Sequence, residues 1–331
     1  MDNLKTKLSV KNPENPNHSE NSADLKLMLK EVVNGLNKPQ KELPCKFFYD
    51  EEGSLLFDQI CGLDEYYITR TELSIMEDYI DEIADFLDDK LMFIEYGSGS
   101  SEKIKIILDH VNKIKVYVPI DISGDHLIKS AAQIASEYRY IEVIPLWADY
   151  NKPFTIPHPE SVIEQKIVYF PGSTIGNFHP ADAVSFLKGI AKVVGKSGGL
   201  IIGVDLKKDR KILQQAYNDY QGITAAFNLN QLKHLNDRLN TSFDLNAFEH
   251  DAFYNTEKSR IEMHLVSKRD QSVQLNGATI HFKQGETIWT ESSYKYDINE
   301  FAYLAREAGF ETKRVWRDKK HLFSVHYLEV V

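Results

Sequence analysis

The sequence predicts an α/β protein: a Rossmann-like, doubly wound parallel sheet carrying a second, α+β domain. Three observations predict it. Between residues 91 and 205, short apolar runs alternate with amphipathic helical stretches, the signature of a parallel sheet covered by helices on both faces. The first apolar run enters the turn Gly97-Ser98-Gly99 and then the polar helix opening Ser100-Ser101-Glu102-Lys103. Strand, glycine turn and helix in that order bring backbone N–H groups to a nucleotide-like ligand. Finally, after an interruption over 207–290, a late helix and two more strands close the chain.

Taken in order, residues 1–22 are polar, rich in Asn, Pro and Ser, and read as a disordered tail. Asp24 can cap a helix carrying Leu25, Leu29, Val32, Val33 and Leu36, which Pro39 and Pro44 end. Phe47-Phe48-Tyr49-Asp50 precedes a helix over 53–61. EYYITRTE (65–72) reads as a loop before a helix carrying Leu73, Met76, Ile80, Ile83 and Leu87. Strands are expected over 91–95, 115–120, 141–147, 166–170 and 200–205. The second ends at Asp121, the third at Asp149, and the fourth runs into Pro171-Gly172-Ser173-Thr174-Ile175-Gly176-Asn177. Helices are expected from Ile104, from Gly124 and over 180–194.

Beyond Asp205 the alternation stops. Residues 207–242 have helical spacing, and 253–290 read as antiparallel strands with a hairpin turn at Asn276-Gly277. A helix over 297–308 ends at Gly309, and strands follow over 312–316 and 322–328. The expected division is a tail (1–22), a substrate-binding lid domain (23–75 plus 207–290) and a core (76–206 plus 291–331).

Composition narrows the function. The net charge of −10 lacks the basic excess of a nucleic-acid binder. Cys45 and Cys61 form no CxxC pair and no disulfide framework. No apolar run approaches the roughly 18 residues of a membrane span, and no apolar signal core follows the first charges. A cytoplasmic protein, expected as a monomer, is the reading. The 11 histidines are scattered without ligand spacing, so no metal is expected.

Three acids sit at strand ends: Glu95 before the glycine turn, Asp121 and Asp149. An acid at the end of the second strand suits a ribose diol, which both NAD and S-adenosylmethionine present. A third glycine at dinucleotide spacing would fall on Glu102, so the NAD fingerprint is incomplete. Each aspartate alone reads equally well as a helix cap or turn residue. Together in one open sheet they favour S-adenosylmethionine.

The ordered motifs IEYGSGSSEK, YVPIDISGD, FPGSTIGNF, IGVDLKKD, SRIEMHL and TESSYKY resemble the histidine Nα-methyltransferases of ergothioneine biosynthesis over residues 42–328. The resemblance implies a seven-stranded class I methyltransferase core with an antiparallel last strand, and trimethylation of L-histidine to its betaine, hercynine. It further implies that Gly97, Lys103, Asp121 and Asp149 hold S-adenosylmethionine, with Tyr49 at the sulfonium end. Gly172, Asn177 and Tyr217 match residues that hold the α-amine and α-carboxylate, and Gly172, Asn177 and Tyr49 would position the attacking lone pair. Tyr66, Met263, Glu291 and Ser293 match the imidazole pocket. Glu291 and Ser293 lie two apart, so an extended segment points them the same way. The family more often has asparagine where this chain has Ser292, a side chain expected to face away from the pocket. Rival readings are the same fold acting on another amino acid, such as a tryptophan derivative, or a non-catalytic cofactor-binding protein.

Overall fold

The computed structural model describes residues 19–99 and 102–331; residues 1–18 of the tail expected over 1–22 and the Ser100-Ser101 helix opening lie outside them. In chain order the elements are α1 (Ser19–Leu36), β1 (Lys41–Glu42), a 3₁₀ turn (Cys45–Phe48), α2 (Glu51–Cys61), α3 (Tyr67–Asp85), β2 (Leu91–Tyr96) and α4 (Glu102–His110). Then come β3 (Ile114–Asp121), α5 (Gly124–Glu137), β4 (Glu142–Val143), β5 (Leu146–Trp147), β6 (Gln165–Phe170), a 3₁₀ turn (Thr174–Asn177), α6 (Pro180–Val194) and β7 (Gly199–Asp205). The chain continues through α7 (Arg210–Gln215), α8 (Ile223–Leu239), a 3₁₀ turn (Leu245–Ala247), β8 (Phe248–Asn255), β9 (Arg260–Ser267), β10 (Gln271–Leu275) and β11 (Ala278–Phe282). It ends in β12 (Thr287–Tyr294), α9 (Ile298–Glu307), β13 (Phe310–Arg317) and β14 (Phe323–Val330).

Several boundaries differ from the sequence reading. The first helix begins at Ser19, so residues 19–22 are helical rather than part of the tail. The second begins at Glu51, because the Asp50 carboxylate accepts the Gly53 N–H at 2.7 Å and caps it. EYYITRTE is mostly helix: α3 opens at Tyr67, and Ile68, Glu72, Ile75 and Met76 share its buried face. The strand expected over 141–147 is broken at Ile144-Pro145, since proline has no N–H for the ladder. Both pieces, β4 and β5, pair with β3.

The chain divides into two compact units, one formed by Ile68–Lys207 and Lys295–Val331, the other by residues 19–67 and Lys208–Tyr294. Unit one is built on an eight-stranded sheet in the order β13-β14-β7-β6-β2-β3-β4, with β5 also on β3. Pairings among β2, β3, β6 and β7 are parallel. The last strand, β14, runs antiparallel between β7 and β13. With β4 and β5 taken as one interrupted strand, this is the expected seven-position sheet. Its central strands β2 and β7 are buried along their whole length, as strands covered on both faces must be.

Unit two contains the sheet β1-β12-β9-β8 and the hairpin β10-β11. Asn276 and Gly277 both have positive φ, +45° and +88°, matching the two-residue turn their sequence signals. Val32, Leu36, Leu43 and Phe47 share one apolar core with Leu232, Leu235, Phe248, Leu265 and Ile288. Segments some 200 residues apart therefore belong to one folding unit.

In unit one, Lys295 Nζ lies 2.7 Å from Asp205 Oδ2, and neither side chain is exposed. Lys295→Met would strand the aspartate without its cation. It is expected to lower the unfolding free energy by about 3–5 kcal/mol, measured by urea denaturation. Adding Asp205→Leu should restore most of that loss.

Candidate active site

In unit one the glycine turn leaves β2 with Gly97 at φ +72° and Gly99 at φ +47°, a left-handed path that glycine takes without a Cβ clash. Gly97 N–H donates to Ile120 O at 2.8 Å, and Gly99 N–H donates to Asp121 Oδ2 at 3.1 Å. The other oxygen of Asp121 accepts the Ser123 N–H at 2.8 Å. Asp121 thus fastens the turn to the start of α5, and each oxygen keeps a lone pair for a further donor. Ser98 Oγ, in the middle of the turn, is buried with no hydrogen-bond partner among the described residues.

Just before the turn, the buried Glu95 accepts a hydrogen bond from Tyr117 OH at 2.5 Å. Burial pushes its carboxyl up to about 8, against the opposing pull of Tyr117 and Lys103. Asp149 follows β5, where Oδ1 accepts the Asn151 N–H at 3.0 Å. Its neighbour Tyr150 stacks on Tyr96 at 5.6 Å between ring centroids.

Lys103, on α4, reaches Glu72 of α3, with Nζ 2.5 Å from Oε2. Glu72 is fully buried and also accepts the Gly172 N–H, at 3.0 Å to each oxygen. Gly172 (φ +77°) and Ser173 (φ +56°) make a left-handed bend at the end of β6. For Ser173 that is a sparsely populated conformation; its Oγ accepts the Asp205 N–H at 2.9 Å. Asn177 ends the turn that follows and lines a cavity of about 660 Å³ walled by Tyr96, Tyr150, Phe178 and Phe186.

In unit two, Tyr217 OH donates to Ser293 Oγ at 2.8 Å. The ring of Tyr66 meets Tyr217 edge-on at 6.3 Å, and Phe57 links Tyr66 to Tyr49 at 6.4 and 5.7 Å. Glu291 and Met263 are directly paired across β12 and β9. Burial, then the neighbouring Tyr217, Cys61, Glu291 and Tyr49, pushes the Tyr66 phenol well above its ordinary value, so it remains a proton donor.

The model of one protein family, the S-adenosylmethionine-dependent, histidine-specific methyltransferases, matches residues 28–330. The chain belongs to this family. It is 38% identical over 300 residues to a histidine N-alpha-methyltransferase of Mycolicibacterium smegmatis, covering 87% of this chain and 90% of that one. Identity to the histidine N-alpha-methyltransferase of Mycobacterium tuberculosis is 36% over 309 residues, covering 92% and 95%. Ergothioneine biosynthesis protein 1 of Neurospora crassa matches at 32% identity over 302 residues, 88% of this chain but 34% of that longer protein.

The enzyme is therefore an S-adenosylmethionine-dependent methyltransferase, and its unit-one residues fit that cofactor. Among the described residues, the buried Ser98 hydroxyl has no hydrogen-bond partner and a Cβ at Gly99 would meet no atom within 4 Å, while Asp121 has lone pairs for a ribose diol. Gly97, Lys103, Asp121, Asp149, Gly172 and Asn177 stand in unit one, whereas Tyr49, Tyr66, Tyr217, Met263, Glu291 and Ser293 stand in unit two. Glu291 and Ser293, expected in the core segment 291–331, are on β12 in the four-stranded sheet.

Sequence reasoning missed Glu72. The signal was an acid on an otherwise apolar helix face, between Ile68 and Ile75. It has a consequence for Gly172, whose N–H is taken by Glu72 and so is not offered to a ligand.

Lys103→Met is expected to cost about 3 kcal/mol of stability by leaving Glu72 buried beside a single N–H. Combining it with Glu72→Gln should regain most of that in thermal unfolding. Folded Glu95 holds a proton that an unfolded carboxyl of pKa 4.5 releases, so its contribution makes stability fall as pH rises toward 8. Buried His326, pushed down to about 3 by desolvation, works in the opposite sense, but only below its ordinary 6.5. Between pH 6.5 and 8 the unfolding free energy of the ligand-free enzyme should fall by about 2 kcal/mol, and Glu95→Gln should flatten that slope in denaturation titrations.

Proposed function

We propose that this enzyme methylates the α-amine of L-histidine three times in succession, giving hercynine as the first step of ergothioneine biosynthesis in the cytoplasm. Its relatives named histidine N-alpha-methyltransferase and ergothioneine biosynthesis protein 1 support this substrate and pathway. No described helix is long and apolar enough to cross a membrane. The observation that carries the reading is the polar pair Glu291 and Ser293 in an aromatic setting, with Ser293 held by Tyr217 OH at 2.8 Å. An apolar ring placed there would offer the Glu291 carboxylate no hydrogen-bond donor. An imidazole satisfies both, its N–H donating to Glu291 while Ser293 serves the other ring nitrogen according to tautomer.

When bound, S-adenosylmethionine supplies an electrophilic methyl carbon. In this reading Gly97, Asp121, Asp149 and Lys103 would hold it, and Tyr49 would serve the sulfonium. The Gly172 carbonyl and Asn177 accept from the α-amine, and the Tyr217 phenol, which has a single proton, turns it from Ser293 Oγ to the α-carboxylate when substrate binds. No carboxylate is assigned to the amine, so its ammonium form has no counter-charge in this assignment, which favours loss to water of the proton that masks the lone pair. In-line displacement needs little more than alignment and exclusion of water. The mono- and dimethylated amines regain a lone pair once deprotonated. The quaternary product has none, and the sequence stops at three.

Incubation with methyl-labelled S-adenosylmethionine should label histidine. A product from tryptophan and none from histidine would sink the reading. Glu291→Ala should raise the KM for histidine about 10- to 100-fold with little change for S-adenosylmethionine, and equal effects on both would refute the imidazole role.

A further inference from the structure

Trp289 and Glu291 are two residues apart on β12, yet they face opposite ways. Trp289 pairs with His264 and Glu291 with the adjacent Met263, so Thr290 is an extra residue opposite β9. This is a β-bulge, and it shifts the alternation by one. Its effect is to turn Glu291, and Ser293 beyond it, onto the Met263 face while Trp289 stays on the face of Arg260 and His264. The Arg260 guanidinium lies 4.3 Å over the Trp289 ring there. Without the extra residue, Glu291 would share the Trp289 face.

A chain of buried hydrogen bonds holds the bulge. The Thr290 hydroxyl donates to Asn228 Oδ1 at 2.8 Å and also lies 3.0 Å from Met263 O. Asn228 is wholly buried and gives its two N–H groups to His264 O at 3.0 Å and His250 Nδ1 at 2.8 Å. His250 Nδ1 is then an acceptor, so the ring proton is on Nε2, which donates to Tyr217 O at 2.9 Å. The Tyr217 phenol returns to β12 through Ser293. The circuit closes on itself, and its ends are candidate acceptor-binding residues.

We propose that Thr290 and Asn228 are positioning residues for the acceptor's ring: they lock the bulge that presents Glu291 and Ser293, and through His250 they fix the main chain at Tyr217. The proposal rests on the reading of Glu291 as the imidazole's partner. Neither residue touches substrate in it; both act through the β12 backbone. Thr290 also has a reason to be threonine, because valine has the same shape but would orphan Asn228 Oδ1 inside the unit.

The test is steady-state kinetics on Thr290→Val, Thr290→Ser, Glu291→Ala and the Thr290→Val/Glu291→Ala double variant. Thr290→Val should raise the histidine KM about tenfold while leaving the S-adenosylmethionine KM within about twofold. Thr290→Ser, which keeps the hydroxyl, should behave as wild type. In the Glu291→Ala background, Thr290→Val should add nothing, because the group it positions is gone. If Glu291→Ala leaves the histidine KM unchanged, the underlying reading of Glu291 fails. If Glu291→Ala raises it and Thr290→Val does not, or if the two effects add in full, the positioning proposal is overturned while that reading stands. Should Thr290→Val not fold, His250→Phe at a half-buried position carries the same test: the histidine KM rises selectively or the proposal falls.

Discussion

Unit one depends on a carboxylate that solvent never reaches. Glu72 belongs to α3, but its oxygens hold Lys103 of α4 and the Gly172 N–H at the end of β6. Burying a charge is costly unless its partners replace water in number and direction, so the position of Glu72 dictates where those partners must be. The sheet is shaped around it. A Cβ at Gly203 of β7 would come within 2.1 Å of Glu72 Oε1 and 2.9 Å of Phe323, which leaves glycine as the residue that fits. Two candidate ligand-binding residues, Lys103 and Gly172, are therefore fixed by a side chain that is not itself placed at the ligand.

Unit two solves the same problem with neutral groups. Asn228, His250, Thr290, Tyr217 and Ser293 form a circuit in which the described donors meet acceptors. Burial holds the His250 pKa below its usual range, against the pull of the Tyr217 carbonyl, Asp251 and Asp219. The neutral ring can thus accept at Nδ1 and donate at Nε2. A protonated ring would present two donors, one of them aimed at an amide N–H of Asn228. A buried polar network specifies geometry only when it is satisfied throughout, and this one is built to be satisfied in a single tautomer.

Much of this was legible in the sequence, and what escaped has physical causes. The alternation of apolar runs gave the parallel strands of unit one within a residue or so, because central strands must be apolar on both faces. The third strand was misjudged at Pro145, where one missing N–H divides it. The candidate ligand-binding positions were readable as motifs, but the contacts that orient them were not. Glu72 looked like the polar end of a loop because its partners are 31 and 100 residues away. The bulge was invisible for a different reason. Simple alternation already put Glu291 and Ser293 on one face, and it gave no hint that Trp289 must be on the other.

The electrostatics of unit two bear on how one acid there, Glu291, would select a ligand in the proposed reading. Cys45 is pushed up to about 12 by burial and by Glu291. The Tyr66 phenol is raised by burial and its neighbours, Glu291 among them. At neutral pH both groups are uncharged, so neither offers a second anion or a counter-cation. In the proposed reading, a ligand group that can donate an N–H is thereby distinguished from one that cannot, because only the first offers the carboxylate a hydrogen bond. Discrimination of that kind requires that the acid cannot swing away to find water. The extra residue at Thr290, anchored to a buried asparagine, bears on this only through the backbone: in the proposal above it fixes the point from which the Glu291 side chain departs.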